Sequence, residues 1–225
     1  MGLAIITGGS SGLGFEISKL LRNRDIDICI VGRNESKLKT CLEILESLDG
    51  NGTVQYYMMD ISNEVQVRTF GEAFRESGIS IDYLFNVAGV GIFGSPVQLK
   101  KETIEEVLSS NLVGMMLLTG ELLNNMEYHG GRIINVLSTA ARVGKANEAL
   151  YCASKWGARG YTESLKQYYK NSNIKVTAVY PGGMDTPFWA EQEVNEYMNP
   201  GEVATQIVVS VCNDLYVSEL VIERH

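Results

Sequence analysis

A chain of 225 residues, 45% hydrophobic and 20% charged, with 23 glycines against 4 prolines, can bury roughly 70% of its unfolded surface around one core, which excludes disorder as its main state. Its 19 basic and 27 acidic side chains leave a formal charge of −8 with no run of Lys or Arg, so it has no surface suited to neutralising a nucleic-acid backbone. Its apolar stretch Leu112 to Leu118 is far short of the ~20 residues of a membrane span, so neither nucleic acid nor membrane is expected as a partner.

The N-terminus has no basic segment and no small-residue cleavage site, and Ile6 breaks the myristoylation pattern. Cys29, Cys41, Cys152 and Cys212 lack CxxC spacing, and the histidines are His129 and His225. That set suggests neither a disulfide framework nor a metal site, and reduced thiols in a cytoplasmic protein are the expectation.

Short β-rich runs alternate with longer segments of helical period. Strands are expected at Leu3–Thr7, Asp27–Val31, Thr53–Met58, Ile81–Val87, Arg132–Leu137, Lys175–Tyr180 and Leu220–Ile222; helices at Gly12–Arg22, Glu35–Leu48, Asn63–Ser77, Lys101–Met126, Leu150–Tyr169 and Glu202–Asp214. The runs Ile28–Val31 and Ile133–Val136 are nearly continuous apolar stretches, as in parallel strands covered on both faces. Strict βα alternation with right-handed crossovers predicts an α/β fold, a doubly wound parallel sheet of about seven strands with helices on both faces. No linker, repeat or low-complexity tract divides residues 1–225, so a single domain is expected.

The first strand runs into Thr7-Gly8-Gly9-Ser10-Ser11-Gly12-Leu13-Gly14, which opens the first helix. Glycines there permit positive φ and close backbone approach, and the free N–H groups of a helix start favour an anion, a pyrophosphate above all. Gly8 to Gly12 also matches G-x-S-x-G, which would make Ser10 the nucleophile of a hydrolase elbow. That alternative needs a later acid and histidine, and on a first strand it has no preceding strand to supply the second oxyanion donor. The ribose-binding acid expected about 20 residues after the glycines is missing: the second strand ends Ile30-Val31-Gly32-Arg33-Asn34. A guanidinium at Arg33 pairs with a 2′-phosphate that a carboxylate would repel, which favours NADP over NAD; a solvated loop arginine is the alternative.

Tyr151-Cys152-Ala153-Ser154-Lys155 begins a helix, and i, i+4 spacing puts the phenol and the ammonium on one face. A cation there lowers the tyrosine pKa toward a value useful for proton transfer. Ser138, 13 residues before Tyr151, ends the fifth strand, where ligands sit in this architecture.

With these residues in this order, the sequence resembles the short-chain dehydrogenase/reductase family, from Leu3 to about Phe188. Thr7-Gly8, Gly12 and Gly14, with Ser10, Ser11 and Leu13 between them, resemble its cofactor turn, and Asp60-Ile61 the pair that contacts adenine. Asn86-Val87-Ala88-Gly89 is similar to its Asn-Asn-Ala-Gly segment, with Val in place of the second Asn. Asn111, Ser138, Tyr151 and Lys155 match its catalytic tetrad, and Pro181-Gly182 with Met184 and Thr186 the segment that holds the nicotinamide carboxamide. The resemblance implies a Rossmann fold and hydride transfer between nicotinamide and a carbonyl or carbinol carbon. Tyr151 would be the general acid or base and Ser138 the hydrogen bond on the substrate oxygen. Lys155 would tune Tyr151 and bind the nicotinamide ribose, and Asn111 would fix a water that feeds protons to Lys155. An NADP-dependent carbonyl reductase or alcohol dehydrogenase is therefore expected. The rival of another class is an NADP-binding sensor with negligible turnover, which would need the turn but not the tetrad.

The family encloses its substrate with the segment after Pro-Gly, here Met184 to Asn199, with Phe188, Trp189, Tyr197 and Met198 as apolar contacts, joined by Val90, Ile92 and Phe93. An apolar pocket and plain core packing are both open for these side chains. Arg142 and Lys145 are the nearby cations, and they make no clear clamp for an acidic substrate. Residues Leu112 to Leu118 are apolar on every helix face, so burial all round is expected, with one side against the sheet. The other side faces a second subunit or its own chain. The resemblance implies a homodimer or homotetramer through the helices around 101–126 and 150–169.

Overall fold

The computed structural model describes residues 2–189 and 197–224. Seven strands, β1 (Leu3–Thr7), β2 (Asp27–Gly32), β3 (Val54–Met58), β4 (Ile81–Asn86), β5 (Gly131–Val136), β6 (Ile174–Pro181) and β7 (Glu219–Ile222), form one sheet in the order β3-β2-β1-β4-β5-β6-β7. Every neighbouring pair is parallel. The chain winds outward from β1 to β3, returns to the centre and winds the other way from β4, so the strand order reverses between β1 and β4. In such sheets the crevice beyond the strand ends at that reversal is where ligands bind.

Alternate side chains of each central strand feed two apolar layers. Ala4 and Ile6 of β1 pack with Leu13, Ile17 and Leu21 of α1 (Gly12–Arg22), Leu38 of α2 (Glu35–Glu46), and Val203 and Ile207 of α7 (Pro200–Val211). Leu3 and Ile5 pack on the other face with Phe70 and Phe74 of α3 (Glu64–Ser77), Leu118 and Leu122 of α5 (Gly114–His129), and Leu165 of α6 (Ala149–Tyr168). Burial on both faces is why these strands read as continuous apolar runs rather than alternating ones. The asparagines Asn34, Asn63 and Asn199 set the starts of α2, α3 and α7, each side-chain oxygen accepting from a backbone N–H of the first turn. Pro200 follows at the first helical position, where its missing N–H costs nothing. That starts α7 two residues ahead of the expected Glu202.

The expected single helix over Lys101–Met126 is instead α4 (Lys101–Leu108), a π-helical turn over Ser109–Val113, and α5. The wide turn shifts the apolar face by one residue and turns Asn111 into the interior, 2% exposed. Its interruption leaves no mark in a 3.6-residue period. Of Leu112 to Leu118, expected to be buried on all faces, Met115 and Leu118 are buried, while Val113 and Met116 are 43% and 42% exposed, so the chain itself does not cover that other side. Among the described residues no helix is long and apolar enough to cross a membrane.

Candidate active site

The turn after β1 is built by what its glycines omit. Gly8 has φ +69 and Gly12 φ +50, the left-handed region that side chains disfavour. A Cβ on Gly14 would collide with the carbonyl oxygen of Gly8, and one on Gly12 would come within 3.3 Å of Thr186. Thr7 pins the turn to the β4 loop: its hydroxyl donates to the Phe85 carbonyl and accepts from the backbone N–H of Val87 (3.0 Å) and Ala88 (3.1 Å). At the start of α1, Ser11 provides no side-chain cap and no acid stands in the first turn. The first N–H groups of α1 are thus left facing a glycine-lined cradle, a fit for a pyrophosphate.

Two neighbouring cavities open there, sharing Gly8, Ser11, Ala88 and Gly89. The smaller, about 170 Å³, is walled by Ser10, Arg33, Asp60 and Ile61. The larger, about 430 Å³, takes in Gly12, Leu13, Gly14, Ser138, Tyr151, Lys155, Pro181, Gly182, Met184 and Thr186. Two expected site residues line neither. Asn86 lies beneath the floor in a buried ladder, its Nδ2 donating to Thr119 Oγ1 (2.9 Å) and Asn135 Oδ1 (2.8 Å), with Asn135 Nδ2 donating to Thr162 Oγ1 (2.9 Å). Asn111 is a clamp behind the wall: Oδ1 accepts from Val90 N–H (2.7 Å), and Nδ2 donates to Val90 O (2.9 Å) and Ser154 Oγ (3.0 Å). It thereby fixes the Gly89–Val90 loop against α6.

Tyr151, Ser138 and Lys155 are 7%, 9% and 5% exposed. The Ser138 hydroxyl accepts from Ala140 N–H at 3.1 Å, and Lys155 Nζ donates to the Val136 carbonyl at 3.1 Å while standing 5.7 Å from the centre of the Tyr151 ring. Burial moves both titrations. It pushes the Tyr151 phenol well above its ordinary value, with the Ser138 hydrogen bond working the other way, and lowers the Lys155 ammonium from 10.5 to about 8. The lowering of the Tyr151 pKa expected from Lys155 does not appear here: desolvation dominates, and the hydrogen bond from Ser138 is what opposes it. The arrangement can hold a substrate oxygen between two hydroxyls and keep the phenol protonated beside it.

The hydrolase alternative fails on placement. Ser10 lies beyond the C-terminal end of β1, whereas His129 is exposed at the end of α5, just before β5 begins, at the N-terminal ends of the parallel strands. His225 lies outside the described residues.

Among the expected substrate contacts, Val90, Phe188 and Trp189 line the larger cavity. Phe93 stacks on Trp189 at 4.9 Å and meets Tyr151 edge-on at 5.6 Å, and Tyr197 packs behind Trp189 at 4.9 Å. Met198 is core packing, its backbone bonded to Gly183 and Asp185 and its side chain in the layer under α1 and α7. Residues 190–196 of the expected Met184 to Asn199 segment lie outside the described residues. Arg142 sits over the Tyr180 ring at 5.7 Å, while Lys145 lines the cavity. Sequence reasoning missed two charged lining residues, Lys37 and Glu148. Their only signals are spacing, four residues after Arg33 and three before Tyr151.

A family model described as short chain dehydrogenase matches residues 2–197. Carbonyl reductase family member 4 of Danio rerio is 33% identical over 188 residues, covering 84% of this chain and 78% of the relative. Sepiapterin reductase of Chlorobaculum tepidum is 30% identical over 215 residues, covering 92% and 88%. Among solved structures, a variant of actinorhodin polyketide ketoreductase with NADPH superposes with a TM-score of 0.88 at 26% identity, over 98% of this chain and 95% of that one.

Proposed function

The chain belongs to the short-chain dehydrogenase/reductase family, NAD(P)-dependent oxidoreductases acting on C=O and CH–OH groups, and on that premise we propose that it is an NADP(H)-dependent reductase of a small carbonyl compound, working in the 430 Å³ cavity. One observation carries the reading: Ser138 after β5 and Tyr151 with Lys155 on α6 line the same cavity as the uncapped, glycine-lined start of α1.

When bound, the dinucleotide supplies the hydride. Tyr151 donates its proton to the substrate oxygen in reduction and takes it back in oxidation. Ser138 donates a hydrogen bond to the same oxygen, where negative charge develops. Lys155 binds the nicotinamide ribose and returns a proton to Tyr151, and Asn111 acts one step behind, fixing the loop and a water that supplies Lys155. Gly8, Ser11, Gly12, Leu13 and Gly14 hold the pyrophosphate, Asp60, Ile61, Ala88 and Gly89 the adenosine half, and Pro181, Gly182, Met184 and Thr186 the carboxamide. The preference for NADP rests on Arg33, with Lys37 as a second cation in the first turn of α2; both are exposed and free of acidic partners among the described residues.

We further propose that residues 1–225 act as one domain in a cytoplasmic homodimer or homotetramer. Free cysteines support the reducing compartment, and exposed Val113, Met116 and Trp156 support an interface on α5 and α6.

The test follows NADPH absorbance against a panel of ketones and aldehydes. Turnover is expected, and Tyr151→Phe should lower kcat by about 10²–10⁴ while NADPH affinity is retained. Binding of NADPH without reduction of any carbonyl favours the sensor alternative and overturns the enzyme reading, as does full activity in Tyr151→Phe.

A further inference from the structure

Glu148 lines the larger cavity, yet the chemistry above gives it no task. It occupies the position before the first turn of α6, but its side chain caps no backbone N–H there. Its Oε2 is buried without a hydrogen-bond partner among the described residues. The backbone that carries it is pinned. Asn147 is held left-handed at φ 58, with its carbonyl accepting from Gly94 N–H at 2.7 Å. Glu148 itself donates its N–H to Lys145 O (3.3 Å) and accepts at its carbonyl from Cys152 N–H (2.7 Å). The carboxylate is thus presented by a fixed turn rather than by a loose loop.

Its surroundings sharpen the question. Val90, Phe188 and Trp189 are apolar walls of the same cavity, and Lys145, which also lines it, makes no ion pair with Glu148 among the described residues; a carboxylate oxygen met by neither water nor a protein donor is destabilising by itself. Evenly apolar substrates would leave that cost in place. Glu148 and Tyr151 line the same cavity three residues apart, and the Glu148 charge is close enough to help raise the Tyr151 phenol. A group that satisfies Glu148 therefore sits near the carbon being reduced.

We propose that Glu148 accepts a hydrogen bond from a hydroxyl or amino group carried by the substrate next to its reacting carbonyl, so that the substrate class is hydroxy- or amino-carbonyl compounds with an apolar remainder. The inference rests on the oxidoreductase reading and narrows it. Glu148 is then a specificity-determining residue, and Tyr151 and Ser138 keep the chemistry.

Three aryl ketones of closely similar size test it: propiophenone, phenacyl alcohol and phenacylamine, each reduced with NADPH by the full chain. The wild type should favour at least one of the two donor-bearing ketones over propiophenone in kcat/KM. A heteroatom also activates the carbonyl, so the deciding quantity is how the ratio changes in Glu148→Leu, where it should drop by about tenfold or more, since a site built to bond a donor rejects the analogue that lacks it. Glu148→Ala carries the same comparison if the Leu variant does not fold, and an NADPH-dependent rise in melting temperature certifies that each variant is folded. Glu148→Gln separates the two donors: an amide oxygen still accepts from a hydroxyl, but without the charge a preference for the amine should fall. An unchanged ratio in the folded Leu or Ala variant, or an equal loss on all three ketones, overturns the inference. A wild type that binds NADPH and reduces no carbonyl overturns the underlying reading instead.

Discussion

Lys155 keeps an ammonium where water barely reaches, 5% exposed with the Val136 carbonyl as its hydrogen-bond partner. Burial lowers its pKa from 10.5 to about 8, and at ~1.4 kcal/mol per unit the charge costs the folded state about 3 kcal/mol at neutral pH. The sign follows from linkage: between pH 8 and 10.5 the unfolded chain binds the proton that the folded chain has lost, so this group makes the protein more stable as pH rises through that window. Below it the full cost persists. Lys155→Met should therefore abolish turnover yet melt several degrees higher at pH 7, with part of the gain offset by the lost bond to Val136. Its advantage should shrink above pH 8, and thermal melts at pH 7 and pH 9 check both statements. Burial pushes the Tyr151 phenol up and the Lys155 ammonium down, so an alkaline decline in reductive kcat/KM is expected to follow Lys155 first.

At the scale of the element, the glycine turn and the π-helical turn do opposite things with one side chain. The turn after β1 works by absence. Gly14→Ala drives a methyl into the Gly8 carbonyl, which should cost about 1–3 kcal/mol as overpacking and weaken dinucleotide binding by displacing the start of α1. Gly120, inside α5 with nothing within 4 Å of an added Cβ, is the control: Gly120→Ala should stabilise by about 0.5–1 kcal/mol with binding unchanged. Denaturant melts and NADPH titrations of the two variants make the comparison. This contrast also explains what the sequence made legible. The seven strands and most helices follow from apolar runs and period, and Gly8, Gly12, Tyr151 and Lys155 follow from motif spacing, because those features are local in the chain. The π-helical turn was not legible, since it arises from Asn111 reaching the Val90 backbone and Ser154 Oγ, contacts between distant segments. Lys37 and Glu148 were invisible for the same reason: only the folded crevice reveals that they face it. The depressed Tyr151 pKa expected from i, i+4 spacing failed because spacing carries no information about desolvation.

For the whole molecule, the crevice is the place where the sheet is joined from the inside. Its walls come from the ends of six strands: Gly8 after β1, Arg33 after β2, Asp60 after β3, Ala88 after β4, Ser138 after β5 and Gly182 after β6. A dinucleotide spanning them couples both apolar layers, so its binding energy appears as stability of the entire fold. At a hundredfold excess over Kd that is about 2.7 kcal/mol, or roughly 5–10 °C in melting temperature at ~2–4 °C per kcal/mol for a chain of this size. Net charge of −8 opposes the arrival of a phosphate-rich ligand at long range, and this makes the local cations decisive. NADPH carries one phosphate more than NADH, and only a cation at the ribose turns that extra charge from a penalty into a gain. NADPH should therefore raise the melting temperature more than NADH at equal concentration. Arg33→Ala together with Lys37→Ala should remove the difference while leaving the smaller NADH shift in place, because the glycine turn and the start of α1 hold a pyrophosphate with backbone N–H groups rather than with side-chain cations. Equal shifts from both dinucleotides in the wild type would reverse the NADP assignment, and equal losses for both in the double variant would assign these cations to the pyrophosphate.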